Sequence, residues 1–341
     1  MKKFRAVIIG CGAIAGVHAA CLDELKQAEL VAVCDIKAER AERLAAQYGC
    51  RCYTDWRDML RQEQPDSVHI CLPHDLHAPV SIEAMRCGAH VITEKPMAIS
   101  VSEAQAELAA AQAYDRRFAV VFQNRYNPAS RLIHTCVSDG TLGAVRGARC
   151  SVCWSRSDAY YRDSDWRGTL AHEGGGVVVN QAIHTLDLML WFLGEMPVSV
   201  CASVATRAHD IEVEDSAEGV FTMRNGVRAS FWFMNYYACD APVRVELVCE
   251  NGTASLTGDK ARLELSDGRV LTEAALASEH TAASNVAKPY WGTGHIRQLS
   301  DYYHYLETGE PMLVTAQMAY DTHRAMCALL AAGREGREVL L

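Results

Sequence analysis

The 341-residue sequence is informative first through what it lacks. Beyond the N-terminal run discussed below, no apolar segment approaches the roughly 20 residues that a membrane-crossing helix needs, so no membrane partner is expected. No run of like charges occurs, and 33 Lys and Arg stand against 42 Asp and Glu, a net charge of −9. A surface for nucleic acid or another polyanion is therefore not expected. No Pro- or Ser-rich linker breaks the chain, and no repeat with a solenoid or propeller period is found. Cys150-Ser151-Val152-Cys153 is the one CxxC. It has no second pair, and on a strand its thiols would point to opposite faces, which argues against a zinc site. No metal is expected.

What is present reads as a globular protein long enough for two domains, with 50% hydrophobic and 22% charged residues. Fourteen cysteines are scattered, several within apolar, strand-like runs (Cys34, Cys71, Cys249). That pattern fits buried free thiols in a reducing compartment. The N-terminus imitates a signal peptide: Lys2, Lys3 and Arg5 precede an apolar run, and Ala19-Ala20-Cys21 looks like a cleavage site. Reading the same residues as a strand entering a glycine turn completes a nucleotide-binding unit that cleavage would destroy. The strand reading is preferred, and a cytoplasmic protein is expected.

That unit begins with an apolar strand, Phe4 to Ile9, followed by Gly10-Cys11-Gly12-Ala13-Ile14-Ala15 and a helix to about Gln27. A second strand, Leu30 to Cys34, ends in Asp35, with Ile36 next. Strand, GxGxxA, helix and a strand-end acid about 20 residues on form the full dinucleotide fingerprint. Gly10, Gly12, Ala13 and Ile14 let the backbone and helix N-terminus approach a pyrophosphate. Asp35 can accept from ribose hydroxyls and repels a 2′-phosphate, which favours NAD over NADP. Alternation continues with helices at about 37–48 and 55–62, a strand at 67–72, a helix to Cys87, a strand at 89–93, a helix at about 100–115 and a strand at 118–122. In a parallel sheet, ligands gather at the carboxyl ends of the strands. Leu72, Pro73 and His74, then Lys95, and then Gln123 with Arg125, fall at such ends.

From about 126 the pattern changes. A helix at 128–138 leads into antiparallel-looking strands at about 144–154, 197–206, 216–223, 227–236, 243–249 and 253–257, and helices at about 294–308 and 315–333 close the chain. The expected architecture is a doubly wound parallel α/β domain at 1–125 followed by an α+β domain at 126–341, with the C-terminal helices free to pack back toward the first. Strands between Cys201 and Phe233 have apolar residues on both faces, so the outer face of that sheet is a candidate homodimer or homotetramer interface. Within the second domain, Gly174-Gly175-Gly176 opens an apolar run that ends at Gly194. A helix there places Asn180, His184 and Asp187 on one face, as a buried polar stripe that needs partners.

This order of features resembles the glucose–fructose oxidoreductase / inositol dehydrogenase / MocA family over essentially the whole chain. The matching pieces are the 10–15 turn, Asp35, Pro73 with His77, Glu94-Lys95-Pro96, Trp166-Arg167, the 174–187 stretch and Gly294-His295. The resemblance implies an N-terminal Rossmann domain, a C-terminal domain with a large open, mostly antiparallel sheet, and hydride transfer between NAD(P) and a sugar, cyclitol or related polyol. It maps the family's catalytic Lys onto Lys95 and its catalytic His onto His184, and brings His77, Glu94, Trp166 and Arg167 to the cofactor. Many members have an acid where this chain has Asn180; Asn cannot act as a base, but it can hold a substrate hydroxyl or orient His184.

The chemistry then reads as oxidation of a secondary alcohol. Neutral His184 takes the hydroxyl proton, Lys95 stabilises the developing alkoxide, and Asn180 positions. Tyr160, Tyr161, Trp166, Arg167, Tyr290, Trp291 and His295, with Arg125, are candidates to line a carbohydrate site. Two other functions use the same parts: a glycoside hydrolase or lyase that works through a transient ketosugar, and a non-catalytic nucleotide or sugar sensor.

Overall fold

The computed structural model describes residues 3–274 and 294–341. The chain divides into two compact units. The first holds residues up to Ala98, Ser102–Tyr126 and, of the described C-terminal residues, 294–320; the second holds Ile99–Val101, the described residues 127–274, and Asp321–Leu341. The division is thus not a single cut of the chain: helix Gly294–Thr308 belongs to the first unit, and helix Ala316–Glu335 passes from one to the other.

The first unit is built on six strands: β1 (Phe4–Ile9), β2 (Ala28–Cys34), β3 (Arg51–Tyr53), β4 (Ser67–Ile70), β5 (His90–Thr93) and β6 (Phe118–Val120). Their order is β3-β2-β1-β4-β5-β6, and every pairing is parallel. Ala6, Val7, Ile8 and Ile9 are all buried, as expected of a strand covered on both faces. The short β3 was not anticipated. Helix Gly294–Thr308 buries Leu299, Tyr302 and Tyr303 in the core formed by β1 and helix Ala15–Glu24. Its Gln298 takes the backbone N–H of Phe122 (3.0 Å) and donates to the carbonyl of Val120 (2.8 Å), tying the helix to the end of β6.

The second unit carries nine strands: β7 (Val145–Cys153), β8 (Ser199–Ala205), β9 (Ser216–Thr222), β10 (Arg228–Met234), β11 (Arg244–Cys249), β12 (Gly252–Thr257), β13 (Lys260–Leu265), β14 (Val270–Ala274) and β15 (Val339–Leu340). Their order is β14-β13-β12-β11-β7-β10-β9-β8-β15. All pairings are antiparallel except β7 with β10, which run parallel. Along β10, Ala229, Phe231 and Phe233 are buried while Arg228, Ser230 and Trp232 are exposed, the alternation of a sheet covered on one face. Cys150 and Cys153 are both buried, and all fourteen cysteines are free thiols. Among the described residues no helix is long and apolar enough to cross a membrane, and no cluster of His, Cys, Asp or Glu could hold a metal ion.

Candidate active site

The cofactor end of the first unit is built where β1 stops. Gly10 has φ +92°, and a Cβ there would lie 2.3 Å from the carbonyl oxygen of Cys71, so only glycine fits this turn. A Cβ on Gly12 would meet nothing within 4 Å, which leaves room for a ligand against the backbone. Helix Ala15–Glu24 follows with no acid in its first turn to offset its positive end. Asp35 does more than the sequence suggested. Its Oδ2 accepts the N–H of Cys11 (2.8 Å) and its Oδ1 that of Lys37 (2.9 Å), so one carboxylate ties the glycine turn to the loop after β2. A carboxylate has about four lone-pair sites, which leaves capacity for a ribose hydroxyl. Ile36 is 85% exposed beside it. Gln123, in the turn Gln123–Tyr126, is buried, and its Oε1 has no hydrogen-bond partner among the described residues. An open glycine turn, a strand-end carboxylate and an orphan acceptor fit a dinucleotide whose carboxamide supplies a donor.

His77 is a buried candidate: its ring nitrogens face backbone carbonyls, Nδ1 that of Pro96 (2.7 Å) and Nε2 that of Leu72 (2.9 Å). It joins the loop carrying Leu72, Pro73 and His74 to the loop carrying Lys95. His74 is buried with its ring centroid 5.7 Å from that of His77.

Glu94 sits on a buried polar chain that the sequence did not reveal. Its Oε1 is 3.1 Å from His18 Nε2 and 3.9 Å from His295 Nε2, and its Oε2 accepts the N–H of Lys95 (3.3 Å). His18 Nδ1 lies 2.9 Å from His69 Nδ1, and His69 Nε2 lies 2.7 Å from the Tyr303 hydroxyl. A carboxylate only accepts. With both rings neutral, one arrangement is consistent: Tyr303 donates to His69, His69 to His18, and His18 to Glu94. Burial alone would raise the Glu94 pKa, but the His18 hydrogen bond and the positive charge of its neighbours bring it down to about 2. Desolvation lowers His295 to about 4, against the pull of Glu94, so this candidate substrate residue is a neutral ring held beside Glu94. Arg125 is buried, with Nη1 3.5 Å from Met318 Sδ. Lys95 is half-buried at the end of β5.

In the second unit the glycine stretch does what its composition suggested. A Cβ on Gly176 would sit 1.9 Å from the carbonyl oxygen of Glu214. Glu214 caps the segment that follows: its carbonyl takes the N–H of Val177 (2.9 Å), and its Oε1 takes those of Gly176 (2.8 Å) and Val178 (3.1 Å). The expected single helix is two pieces, a π-helical turn at Val178–Ala182 and an α-helix at Ile183–Leu193, with Gly194 left-handed after it. Asn180 thus sits on the wider π turn and His184 on the α-helix that follows it. Asp187 Oδ1 accepts from the Thr322 hydroxyl at 2.8 Å. Yet the decisive pattern is clear. From Gly175 to Phe192 every residue is buried except Asn180 and His184, which are both half-exposed.

Around Asn180 the structure gathers groups from the 154–173 loop. Asn180 Nδ2 donates to Glu173 Oε1 (2.6 Å) and to the Tyr160 hydroxyl (3.2 Å), which also receives Gln181 Nε2 (3.3 Å). Glu173 Oε2 takes the N–H of Gly168 (2.6 Å). The Arg167 guanidinium lies over the rings of Tyr160 (4.6 Å) and Trp166 (4.7 Å), and Tyr161 packs edge-on against Tyr160. Burial raises Glu173 to about 7. Sequence reasoning missed Glu173, although an acid directly before three glycines was a signal. Tyr290 and Trp291 lie outside the described residues.

Comparison with known proteins gives the family. The family model described as an oxidoreductase family with an NAD-binding Rossmann fold matches residues 4–122, and that of the GFO/IDH/MocA C-terminal domain matches residues 130–255. D-glucoside 3-dehydrogenase of Escherichia coli (strain K12) is 25% identical over 100% of this chain and 98% of its own length. Inositol 2-dehydrogenase of Rubrobacter xylanophilus is 28% identical over 82% of this chain and 80% of its own. Among solved structures, the WlbA dehydrogenase from Bordetella pertussis in complex with NADH and UDP-GlcNAcA superimposes with a TM-score of 0.88 at 26% identity, covering 100% of this chain and 98% of that one. With both domain models matched in order and the dinucleotide turn in place, the chain belongs to the GFO/IDH/MocA family of NAD-binding oxidoreductases.

Proposed function

We propose that this protein is a dehydrogenase acting on a secondary hydroxyl of a sugar, glycoside, sugar acid or cyclitol, with NAD preferred over NADP. The observation that carries the reading is the pair Asn180 and His184, the two positions left half-exposed in an otherwise buried stretch. His184 takes the hydroxyl proton, as a neutral imidazole can near neutral pH. Lys95 is the candidate to stabilise the charge that develops on an oxidised hydroxyl. Asn180 holds a neighbouring hydroxyl. Tyr160 and Trp166 offer aromatic rings for a sugar face, and Trp166 and Arg167 are retained as candidates for the cofactor. The nicotinamide ring, when bound, supplies the hydride acceptor. The preference for NAD rests on the Asp35 charge, which opposes a 2′-phosphate. Free thiols support a reducing, cytoplasmic setting, and the exposed Trp232 on β10 supports a homo-oligomer formed through that sheet face.

The test is a screen of free sugars, glycosides, sugar acids and cyclitols for NADH formation, followed by chromatography of the products. Accumulating NADH with a ketosugar product supports the proposal. Cleavage of a glycoside without net NADH would move the protein to the redox-neutral hydrolase or lyase class. Binding without any turnover would make it a sensor.

A further inference from the structure

We infer that His209 and Asp215 are positioning residues for the substrate site: they build the 206–213 loop into a brace that holds the 154–170 loop, and with it Tyr160 and Tyr161, in the shape that receives a carbohydrate. The inference rests on the dehydrogenase reading above, which makes the 154–170 loop a lining of the site, and deepens it. Asp215 is the foundation. It is fully buried directly before β9, and its side chain accepts three successive backbone N–H groups, Oδ1 that of Arg207 (2.9 Å) and Oδ2 those of Ala208 (2.8 Å) and His209 (3.2 Å). The Thr206 hydroxyl closes the same loop on the carbonyl of Val213 (2.7 Å). Backbone groups outside a helix or sheet need such partners, and here one carboxyl supplies them and sets the course of the loop.

From this loop His209, Ile211 and Glu212 reach the neighbouring one. The His209 side chain is only 5% exposed, although its neighbours Ala208 and Asp210 are exposed. Its Nε2–H donates to the carbonyl of Arg156 (2.8 Å), and its Nδ1 lies 3.2 Å from Asp215 Oδ2. The same ring packs on that of Tyr161, with centroids 5.0 Å apart. Ile211 takes the space of a side chain at Gly168, where a Cβ would lie 2.8 Å from Ile211 Cγ2. Glu212 donates its N–H to the Gly168 carbonyl (2.8 Å) and accepts the N–H of Leu170 with Oε2 (2.9 Å). The 154–170 loop is thus pinned near both ends, at Arg156 and at Gly168 with Leu170. It carries a stack of alternating rings and guanidinium groups: Arg156 over Trp154 (5.0 Å) and Tyr160 (5.5 Å), and Arg167 over Tyr160 (4.6 Å) and Trp166 (4.7 Å). Each such contact is weak by itself, so the stack keeps one shape only while its ends are held.

The experiment compares the wild type with three variants. His209→Phe keeps a ring beside Tyr161 but removes the donor to Arg156, His209→Gln keeps a donor, and Glu212→Ala, at an exposed position, releases the N–H of Leu170. Hydrogen exchange of the 154–170 amides and near-ultraviolet circular dichroism are read on the protein alone, then NAD affinity, then kcat and KM for the best substrate of the panel. His209→Phe is expected to speed exchange across 154–170, to alter the aromatic dichroism and to raise KM about tenfold, while NAD affinity and kcat change far less. His209→Gln is expected to recover part of the lost KM. Glu212→Ala is expected to raise KM by a smaller factor, and it carries the test should His209→Phe fail to fold. A role confined to folding would lower the melting temperature and leave KM unchanged in every variant that folds. That result, wild-type exchange across 154–170 in His209→Phe, or weaker NAD binding with KM unchanged overturns the inference. Failure of the dehydrogenase reading is distinguishable, because then no substrate of the panel yields NADH while the exchange and dichroism still report on the brace.

Discussion

Asp35 offers a perturbation whose two consequences can be separated. The sequence assigns it to a ribose, but the structure also gives it two backbone partners, the N–H groups of Cys11 at 2.8 Å and Lys37 at 2.9 Å. Hydrogen bonds to a charged acceptor contribute about 1.5–3 kcal/mol each when shielded, and less where water can replace the lost partner. The loops are partly open, so Asp35→Ala is expected to destabilise the cofactor-free protein by about 1–3 kcal/mol in total. Asp35→Asn should not rescue it, because an amide can accept one of these N–H groups but turns NH₂ toward the other. Binding of NAD should weaken beyond this, by about another 1–3 kcal/mol for the unpaired ribose hydroxyls, while relative use of NADP rises. Urea unfolding without nucleotide measures the first effect and calorimetric titration with NAD and NADP the second. Cofactor-free stability equal to wild type, with an unchanged denaturant slope, would refute the claim that this carboxylate holds the glycine turn. A wild type that already prefers NADP would refute the assignment of the nucleotide.

Three further outcomes are expected. Tyr303→Phe removes the donor to His69 Nε2 in a fully buried site and should cost about 1–3 kcal/mol in urea unfolding, the penalty of an unsatisfied buried group; a neutral result would break the proposed direction of the chain toward Glu94. Gly176→Ala forces a Cβ to 1.9 Å from the Glu214 carbonyl and should cost more than about 3 kcal/mol or abolish soluble expression, whereas an ordinary melting curve would contradict the geometry. Stability should also depend on pH with opposite signs at two carboxyls. Glu94, at about 2 in the fold against 4.5 for the ordinary carboxyl, stabilises above 4.5, and that contribution is lost as pH falls toward 2. Glu173, at about 7, binds its proton more tightly folded than unfolded, so its contribution is present below 4.5 and is lost as pH rises from there to 7. Each is worth on the order of 3 kcal/mol at full extent, and Glu94→Gln and Glu173→Gln should each flatten only their own window.

The parts of this fold that could be read from sequence are those written locally. The dinucleotide turn, the Asp35 strand end and the helix–strand alternation depend on spacing within about thirty residues, and the parallel sheet followed from them. The long-range parts were not legible. That the C-terminal helices could pack back toward the first domain was expected, but not which side chains would do so: Tyr302 and Tyr303 of helix Gly294–Thr308 enter a core made by residues nearly three hundred positions earlier. The π turn at Val178–Ala182 has no signature in an apolar run, since no period separates buried α from buried π winding. The two carbonyls that surround His77 could not be foreseen, because they belong to Leu72 and to Pro96, nineteen residues away. Glu173 was overlooked because its meaning lies in the partner it finds, Asn180 at 2.6 Å.

The central claim is that His184 takes the proton of the oxidised hydroxyl, and transient kinetics of NADH formation in His184→Ala test it most directly. The account predicts nearly unchanged NAD affinity, because the cofactor belongs to the first unit. It also predicts a chemical step slowed by about 10²–10⁴-fold, the usual worth of a positioned general base. Lys95→Ala should also slow the chemical step, through lost stabilisation of the developing charge. Full turnover by His184→Ala on a confirmed substrate would contradict the account and make the 183–193 helix a structural element alone.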